Sequence, residues 1–99
     1  MGGMYVLIVY DVSTANAAGE RRLAKVARLC VRYGQRVQNS VFECSITPAQ
    51  YAEIKHELEK ICDQSQDTVR LYNLGKNWEN RVEHIGTRVP YNPDEPFII

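Results

Sequence analysis

The apolar positions of the N-terminal third change from a continuous run to a helical repeat. Residues 5–10, YVLIVY, are rich in β-branched and aromatic types, which predicts a central strand covered on both faces that ends at Asp11. From Gly19 to Tyr33 apolar residues recur every three or four positions, which predicts an amphipathic helix. Gly34 suits the left-handed residue that closes a helix. The candidate caps at the start of the helix are Ser13, Thr14 and Asn16.

The middle of the chain alternates and then returns to a helical repeat. Residues 35–46 place Phe42, Cys44 and Ile46 on one side, which predicts strand structure, with a hairpin turn at residues 39–40. Residues 47–50, TPAQ, combine a capping threonine, a proline at the first helical position and a glutamine at the third, which predicts a helix start. The predicted buried stripe of this second helix consists of Tyr51, Ile54, Leu58 and Ile61.

Residues 68–74 predict another strand, and residues 82–87, VEHIGT, predict a last short one. This order of elements is typical of an α+β fold, a ferredoxin-like βαββαβ sandwich with an extra C-terminal strand. Such a fold leaves one sheet face without helices, and 99 residues offer no second layer to cover it. We therefore predict a sheet-to-sheet homodimer, in which the extra strand can extend the sheet of the partner.

The length of 99 residues indicates a single domain. We assign residues 4–88 to this domain and residues 89–99 to a C-terminal tail, and we interpret residues 1–3 as a vector remnant. No apolar run approaches the length of a membrane span, which excludes membrane insertion. Three cysteines cannot all pair within one chain, and no two have metal-finger spacing, which favours a reducing, cytoplasmic location.

Charge is balanced over the chain, with 12 basic and 12 acidic residues, but it is unevenly distributed. Residues 20–36 hold six basic residues and one acid, whereas residues 43–67 hold two lysines and six acids. The basic residues of the first segment are Arg21, Arg22, Lys25, Arg28, Arg32 and Arg36. They form either an ordinary solvated helix face or a stripe that binds phosphates.

Asp11 is the first candidate for chemistry, because a carboxylate at the end of a buried strand lies at a sheet edge that substrates can reach. An aspartate in this position can also simply cap the next turn. One carboxylate per chain is a poor site for Mg²⁺ or Mn²⁺, but a two-fold axis near Asp11 would supply a second. A metal held in this way can promote phosphodiester hydrolysis.

Two motifs together resemble the CRISPR-associated protein two family, the small dimeric partner of the spacer-acquisition integrase, often named a CRISPR-associated endoribonuclease. The first is the strand that ends in Tyr10-Asp11, and the second, about 25 residues later, is RVQNSVF at residues 36–42. The resemblance extends from Met4 to Thr87. It implies a ferredoxin-like homodimer in which Asp11 of both chains binds a divalent ion, Mg²⁺ or Mn²⁺. It also implies that the protein cleaves single-stranded RNA or double-stranded DNA.

By the same resemblance, further positions line or support the cleft, with Tyr10 and Phe42 at the catalytic site. The positions expected beside nucleic acid are Arg22, Arg36 and Ser40. The family's architectural role, a dimer that bridges two integrase dimers across a prespacer duplex, implies phosphate contacts from Arg21, Lys25, Arg28 and Arg32. The tail at residues 89–99 then either packs on its own dimer or docks on the integrase.

Three hypotheses of function follow. The first is a magnesium-dependent endonuclease centred on Asp11, and the second is a DNA-binding adaptor without catalysis. Both can hold for the same protein. The third is a ferredoxin-like domain that binds a small molecule, which would have a defined pocket and no salt-dependent affinity for nucleic acid.

Overall fold

The structure, a computed structural model, describes residues 3–86. The elements are β1 (Met4–Asp11), α1 (Ala17–Tyr33), β2 (Gly34–Gln38), β3 (Val41–Ile46), α2 (Pro48–Ile61), β4 (Thr68–Gly75) and a 3-10 turn (Trp78–Asn80). The strands form one antiparallel sheet in the order β2-β3-β1-β4. The predicted ferredoxin-like βαββαβ sandwich is therefore confirmed.

The core lies between the sheet and the two helices. Alternate residues of β1 and β3 are buried, as their period of two requires, and helix residues cover them. The buried strand residues are Val6, Ile8, Tyr10, Phe42, Cys44 and Ile46, and the buried apolar helix residues are Val26, Leu29, Cys30, Ile54 and Leu58. The opposite face of the sheet carries no helix in the described chain, and we call it the uncovered face.

Both helices begin at polar caps. Asn16, one of three predicted candidates, accepts a hydrogen bond from the Gly19 backbone N–H at 2.9 Å. The predicted capping box of α2 is present, with Thr47 and Gln50 bonded reciprocally at 3.2 and 3.0 Å. These side chains satisfy N–H groups that have no partner within the helix.

The expectation that Gly34 adopts a left-handed conformation is wrong. Its φ of −158° is extended, because the chain passes from α1 into β2 without a loop. Glycine is needed here for space, since an added Cβ would collide with the Glu43 carbonyl oxygen and lie 2.6 Å from Cys44 Sγ. The glycine thus permits β2 to pair closely with β3.

A short strand is expected over residues 82–87, of which the structure describes residues 82–86. These residues do not form a strand. Residues 82–86 are irregular, Ile85 is 94% exposed, and His84 Nε2 lies 3.1 Å from the Gly86 carbonyl oxygen. An isolated segment gains no ladder hydrogen bonds, so strand propensity alone does not hold it extended. The predicted tail at residues 89–99 and residues 1–2 of the predicted remnant lie outside the described residues.

Within residues 3–86, neither α1 nor α2 has the length and apolar character needed to cross a bilayer. The three cysteines are free thiols, with Cys30 and Cys44 in the core as small hydrophobic side chains. Burial raises the pKa of Cys30 to about 12 and that of Cys44 to about 11.

Candidate metal centre and nucleic-acid interface

Asp11 is the last residue of β1, and its side chain belongs to the uncovered face. Tyr10 before it and Val12 after it are buried among core residues, so the alternation of the strand turns Asp11 away from the helices. Asp11 is exposed, and its Cα pairs with that of Thr68 on β4. Among residues 3–86, no side chain forms a hydrogen bond or ion pair with its carboxylate. As far as residues 3–86 are concerned, both oxygens are therefore available for an external ligand.

The rest of the uncovered face is partly apolar and only half-buried. Leu7, Val9 and Val41 line its centre, and Tyr72 on β4 is 42% exposed. Exposed apolar area of this kind is typical of an interaction surface.

An aromatic pair covers the end of the uncovered face farthest from Asp11. Trp78 stacks on Tyr5 with ring centroids 4.1 Å apart, and the Tyr5 hydroxyl donates to Glu43 Oε1 at 2.7 Å. Burial and the neighbouring Glu43 carboxylate raise the pKa of Tyr5. The two ends of the face thus differ, with a closed aromatic end and an acidic end at Asp11.

Tyr10 and Phe42, expected at the catalytic site, lie in the core on the opposite side of the sheet from the Asp11 carboxylate. Their rings are 6.1 Å apart, and the Tyr10 hydroxyl donates to the Asn39 carbonyl oxygen at 3.3 Å. Burial raises the pKa of Tyr10, and the positive charge of Arg36 opposes this shift. Both aromatic side chains support the end of β1, and neither is placed to touch a substrate.

Arg36 and Ser40 belong to the same corner of the sheet. The guanidinium of Arg36 lies 5.1 Å from the centre of the Phe42 ring, within the range of a cation–π contact. Its Nε is buried and has no hydrogen-bond partner among the described residues. The Ser40 carbonyl oxygen accepts a hydrogen bond from the Tyr10 backbone N–H at 3.1 Å, so this residue fixes the strand end through its backbone.

Four basic side chains form one exposed line along α1, which we call the basic stripe: Arg21, Lys25, Arg28 and Arg32. Their spacing of four, three and four residues keeps them on one side of the helix over about 16 Å. No ion pair engages any of them in the described part of the chain. The stripe therefore presents unneutralised charge, as a phosphate-binding surface requires.

Arg22, expected beside nucleic acid, does not belong to the basic stripe. It is half-buried and forms a bidentate ion pair with Asp67, with Nε 2.7 Å from Oδ2 and Nη2 3.2 Å from Oδ1. Since 45 residues separate the two, local sequence gives no sign of the pair. The hydrogen bonds from Arg22 are the main reason that the pKa of Asp67 is lowered to about 2.

Sequence reasoning missed Lys55 and Arg70. Both line a groove of about 700 Å³ that runs between α2 and β4 and reaches Asp11. Arg70 pairs with Val9 and so belongs to the same sheet face as Asp11, as a diagonal neighbour on the adjacent strand. The guanidinium of Arg70 lies over the ring of Tyr72, and its Nη1 donates to the Tyr72 hydroxyl at 3.2 Å, so it extends along β4 away from Thr68, the partner of Asp11.

The described residues contain no group of three His, Cys, Asp or Glu side chains that could hold a metal ion. Mg²⁺ in proteins is usually held by one or two carboxylates together with water and phosphate oxygens. The free oxygens of Asp11 fit that requirement if a second copy of the chain brings its own Asp11 to the same point. A single chain provides only half of such a site.

These features define a class of protein: a ferredoxin-like α+β protein with an aspartate at a strand end, an uncovered sheet face and a free basic stripe. The family model for the CRISPR associated protein Cas2 matches residues 4–82. The chain therefore belongs to the Cas2 family, and the resemblance drawn from its two motifs is confirmed.

Relatives and solved structures agree with this assignment. The chain is 51% identical over 96 residues to the CRISPR-associated endoribonuclease Cas2 of Nitratidesulfovibrio vulgaris, covering 97% of this chain and 94% of the relative. It is 47% identical over 95 residues to the CRISPR-associated endonuclease Cas2 of Halalkalibacterium halodurans, covering 96% and 99%. The structure of Streptococcus pyogenes Cas2 at pH 6.5 matches with a TM-score of 0.73 and 60% identity, covering 84% of this chain and all of that one. A chain of a partial Cas6-RT-Cas1–Cas2 complex matches with a TM-score of 0.64 and 30% identity, covering 93% and 99%.

Proposed function

We propose that the protein is a homodimeric, magnesium- or manganese-dependent endonuclease whose centre is formed by Asp11 of two chains. The observation that carries this proposal is the free carboxylate of Asp11, exposed at a strand end on the uncovered face. Relatives named as an endoribonuclease and an endonuclease support nuclease chemistry. The substrate is single-stranded RNA or double-stranded DNA.

The dimer follows from the uncovered face. Packing two copies sheet to sheet would bury Leu7, Val9 and Tyr72. These side chains would then gain apolar contacts that a single chain does not provide. Replacing Val9 with glutamate at the centre of this face should therefore shift the protein from dimer to monomer in sedimentation experiments. An unchanged sedimentation coefficient would exclude this face as the interface.

At the proposed centre, the residues of the chain bind and orient the metal and the substrate phosphodiester. The reaction is hydrolysis of that phosphodiester. The oxygen of water bonds to phosphorus, one P–O ester bond breaks, and the leaving oxygen takes up a proton. The Asp11 carboxylates of the two chains would hold a divalent ion, and that ion would supply Lewis-acid polarisation of the phosphodiester and a lowered pKa for a bound water. Tyr10 and Phe42 would support the strand end that carries Asp11 from the core side of the sheet.

The test compares wild type with Asp11→Asn on labelled RNA and duplex DNA, with Mg²⁺, with Mn²⁺ and with EDTA. Cleavage should require the metal and should be abolished in Asp11→Asn, while the dimer remains intact. Glu53→Gln, which removes an exposed carboxylate from α2, is the matched control and should cleave like wild type. Equal cleavage by wild type and Asp11→Asn would exclude Asp11 as the metal ligand.

A second function, as a DNA-binding bridge, is favoured by the basic stripe, whose charges are free of ion pairs in the described chain. The structural match to a chain of a Cas1–Cas2 complex supports a Cas1 integrase partner for this chain as well. In this role the dimer joins two integrase dimers and the stripe holds a prespacer duplex by its phosphates, without reading sequence. Comigration of this protein with Cas1 in size-exclusion chromatography tests the partnership, and separate elution at micromolar concentration would contradict it.

A further inference from the structure

Asp67 is a buried carboxylate that receives hydrogen bonds from three separate parts of the chain. Its side chain is 0% exposed. Oδ1 accepts from the Ser13 backbone N–H at 3.0 Å and from Arg22 Nη2 at 3.2 Å. Oδ2 accepts from Arg22 Nε at 2.7 Å and from the Asp63 backbone N–H at 2.9 Å. Four donors use the full acceptor capacity of a carboxylate, so the group has no freedom to rotate.

These bonds surround the strand end that carries Asp11. Ser13 is two residues beyond Asp11, and Thr68, which directly follows Asp67, is the Cα partner of Asp11 in the sheet. The same segment is pressed against α1, because an added Cβ at Gly19 would collide with the Ser13 carbonyl oxygen. The backbone on both sides of Asp11 is thus connected to one buried carboxylate.

Stability alone is a poor explanation for a charged pair in this position. Well-packed apolar residues often stabilise a protein as much as a buried ion pair, because the two charges lose their hydration. What the bidentate Arg22–Asp67 pair provides in addition is fixed geometry. Fixed geometry matters for Asp11, since a metal ligand must be held within a fraction of an ångström of its place.

We propose that Asp67 and Arg22 are positioning residues that hold the Asp11 segment in the geometry needed for metal binding. This inference rests on the proposed metal site at Asp11. Neither residue touches the metal or the substrate. Both act through Ser13 and through the pairing of β1 with β4.

The decisive variant is Asp67→Asn, whose amide nitrogen cannot accept hydrogen bonds from Arg22 and Asp63. Arg22→Lys, which keeps the charge and loses the bidentate geometry, is the second variant in case the first does not fold. The matched control is Glu53→Gln, which also neutralises one carboxylate but is exposed on α2 and bonds neither Asp67 nor Arg22. Ile54→Val, a mild core change, controls for a general loss of stability.

Two measurements by NMR apply to all variants: amide hydrogen exchange at Val12 and Ser13, and line broadening of the Asp11 amide during titration with Mn²⁺. We expect Asp67→Asn and Arg22→Lys to lose at least about tenfold of the exchange protection at Ser13 and to bind Mn²⁺ about tenfold more weakly, as for other residues that orient a ligand. Glu53→Gln and Ile54→Val should stay within about twofold of wild type.

Unchanged protection at Ser13, or unchanged Mn²⁺ affinity in a folded Asp67→Asn dimer, would overturn the positioning role. A parallel loss in Ile54→Val would do the same, because it would show that stability alone governs both readouts. If wild type shows no Mn²⁺ broadening at Asp11, the proposed metal site fails, and hydrogen exchange still decides whether Asp67 holds the Asp11 segment.

Discussion

Replacing Arg28 and Arg32 together by glutamine removes half of the basic stripe without reversing its charge. Both side chains are exposed on α1, and neither has an ion pair within residues 3–86, so the change should leave the fold intact. For duplex DNA, each phosphate neutralised adds about 0.9 to the slope of log affinity against log salt concentration. Four contacts from one protomer therefore give a slope of about −3.6, and two contacts give about −1.8.

This difference is large enough to measure. Raising the concentration of monovalent salt fourfold should weaken the contribution of one wild-type stripe by about 150-fold, and that of the variant stripe by only about 12-fold. If both protomers contact the duplex, the slope changes by about 3.6 between wild type and variant. The assay is fluorescence anisotropy of a labelled duplex over a salt series, with EDTA present to prevent cleavage.

The control variant, Lys60→Gln with Lys76→Gln, removes the same charge from other parts of the surface. Lys60 is on α2 and lies 3.6 Å from Glu57, and Lys76 follows β4. Its slope should match that of wild type. Slopes that are equally reduced in both double variants would show that net charge governs binding. A slope equal to that of wild type in the Arg28 and Arg32 variant would exclude the stripe from the DNA interface.

Three further predictions concern stability. The pKa of Asp67 is lowered from 3.8 to about 2, so its stabilising effect is complete above pH 3.8 and is lost as the pH falls towards 2. From about pH 5 to about pH 2, the free energy of unfolding in urea should fall by about 1–2 kcal/mol more in wild type than in Asp67→Asn, a range reduced to allow for solvent screening. Parallel curves would contradict the assigned ion pair. Thr47→Ala removes the capping hydrogen bond of α2 and should lower the free energy of unfolding, measured by thermal unfolding, by about 1 kcal/mol. Thr47→Ser keeps the hydroxyl group and should not lower it. Gly34→Ala places a methyl group against the Glu43 carbonyl oxygen and should destabilise the fold by about 1–3 kcal/mol, and a neutral effect in thermal unfolding would show that β2 can move away from β3.

Much of the fold could be predicted from short-range pattern. The alternation in β3 and the three- to four-residue repeat in α1 each determine which side chains are buried, and the capping box at Thr47 marks the start of α2. The errors at Gly34 and at residues 82–86 share a cause. In both places the conformation depends on whether another strand lies alongside, which the local residues do not specify.

The candidate site was predictable to the extent that it depends on position within one element. The placement of Asp11 at an exposed strand end follows from the run of apolar residues before it. The environment of Arg22 does not, because its partner Asp67 is distant along the chain. Arg70 reaches the same sheet face as Asp11 only through the register of two strands, and pairing register cannot be read from either strand alone.

The aromatic stack at the closed end of the uncovered face gives the protein an internal optical probe. Trp78 is the only tryptophan in the sequence, so selective excitation of tryptophan reports on this position alone. Its ring lies against Tyr5, and Tyr5 is hydrogen bonded to Glu43 on β3, which links the emission to the packing of the sheet. If two copies associate through the uncovered face as proposed, the solvent exposure of the indole should change, and the wavelength of its emission maximum should shift. Assembly of the native, unlabelled protein can therefore be followed in real time while metal or nucleic acid is added.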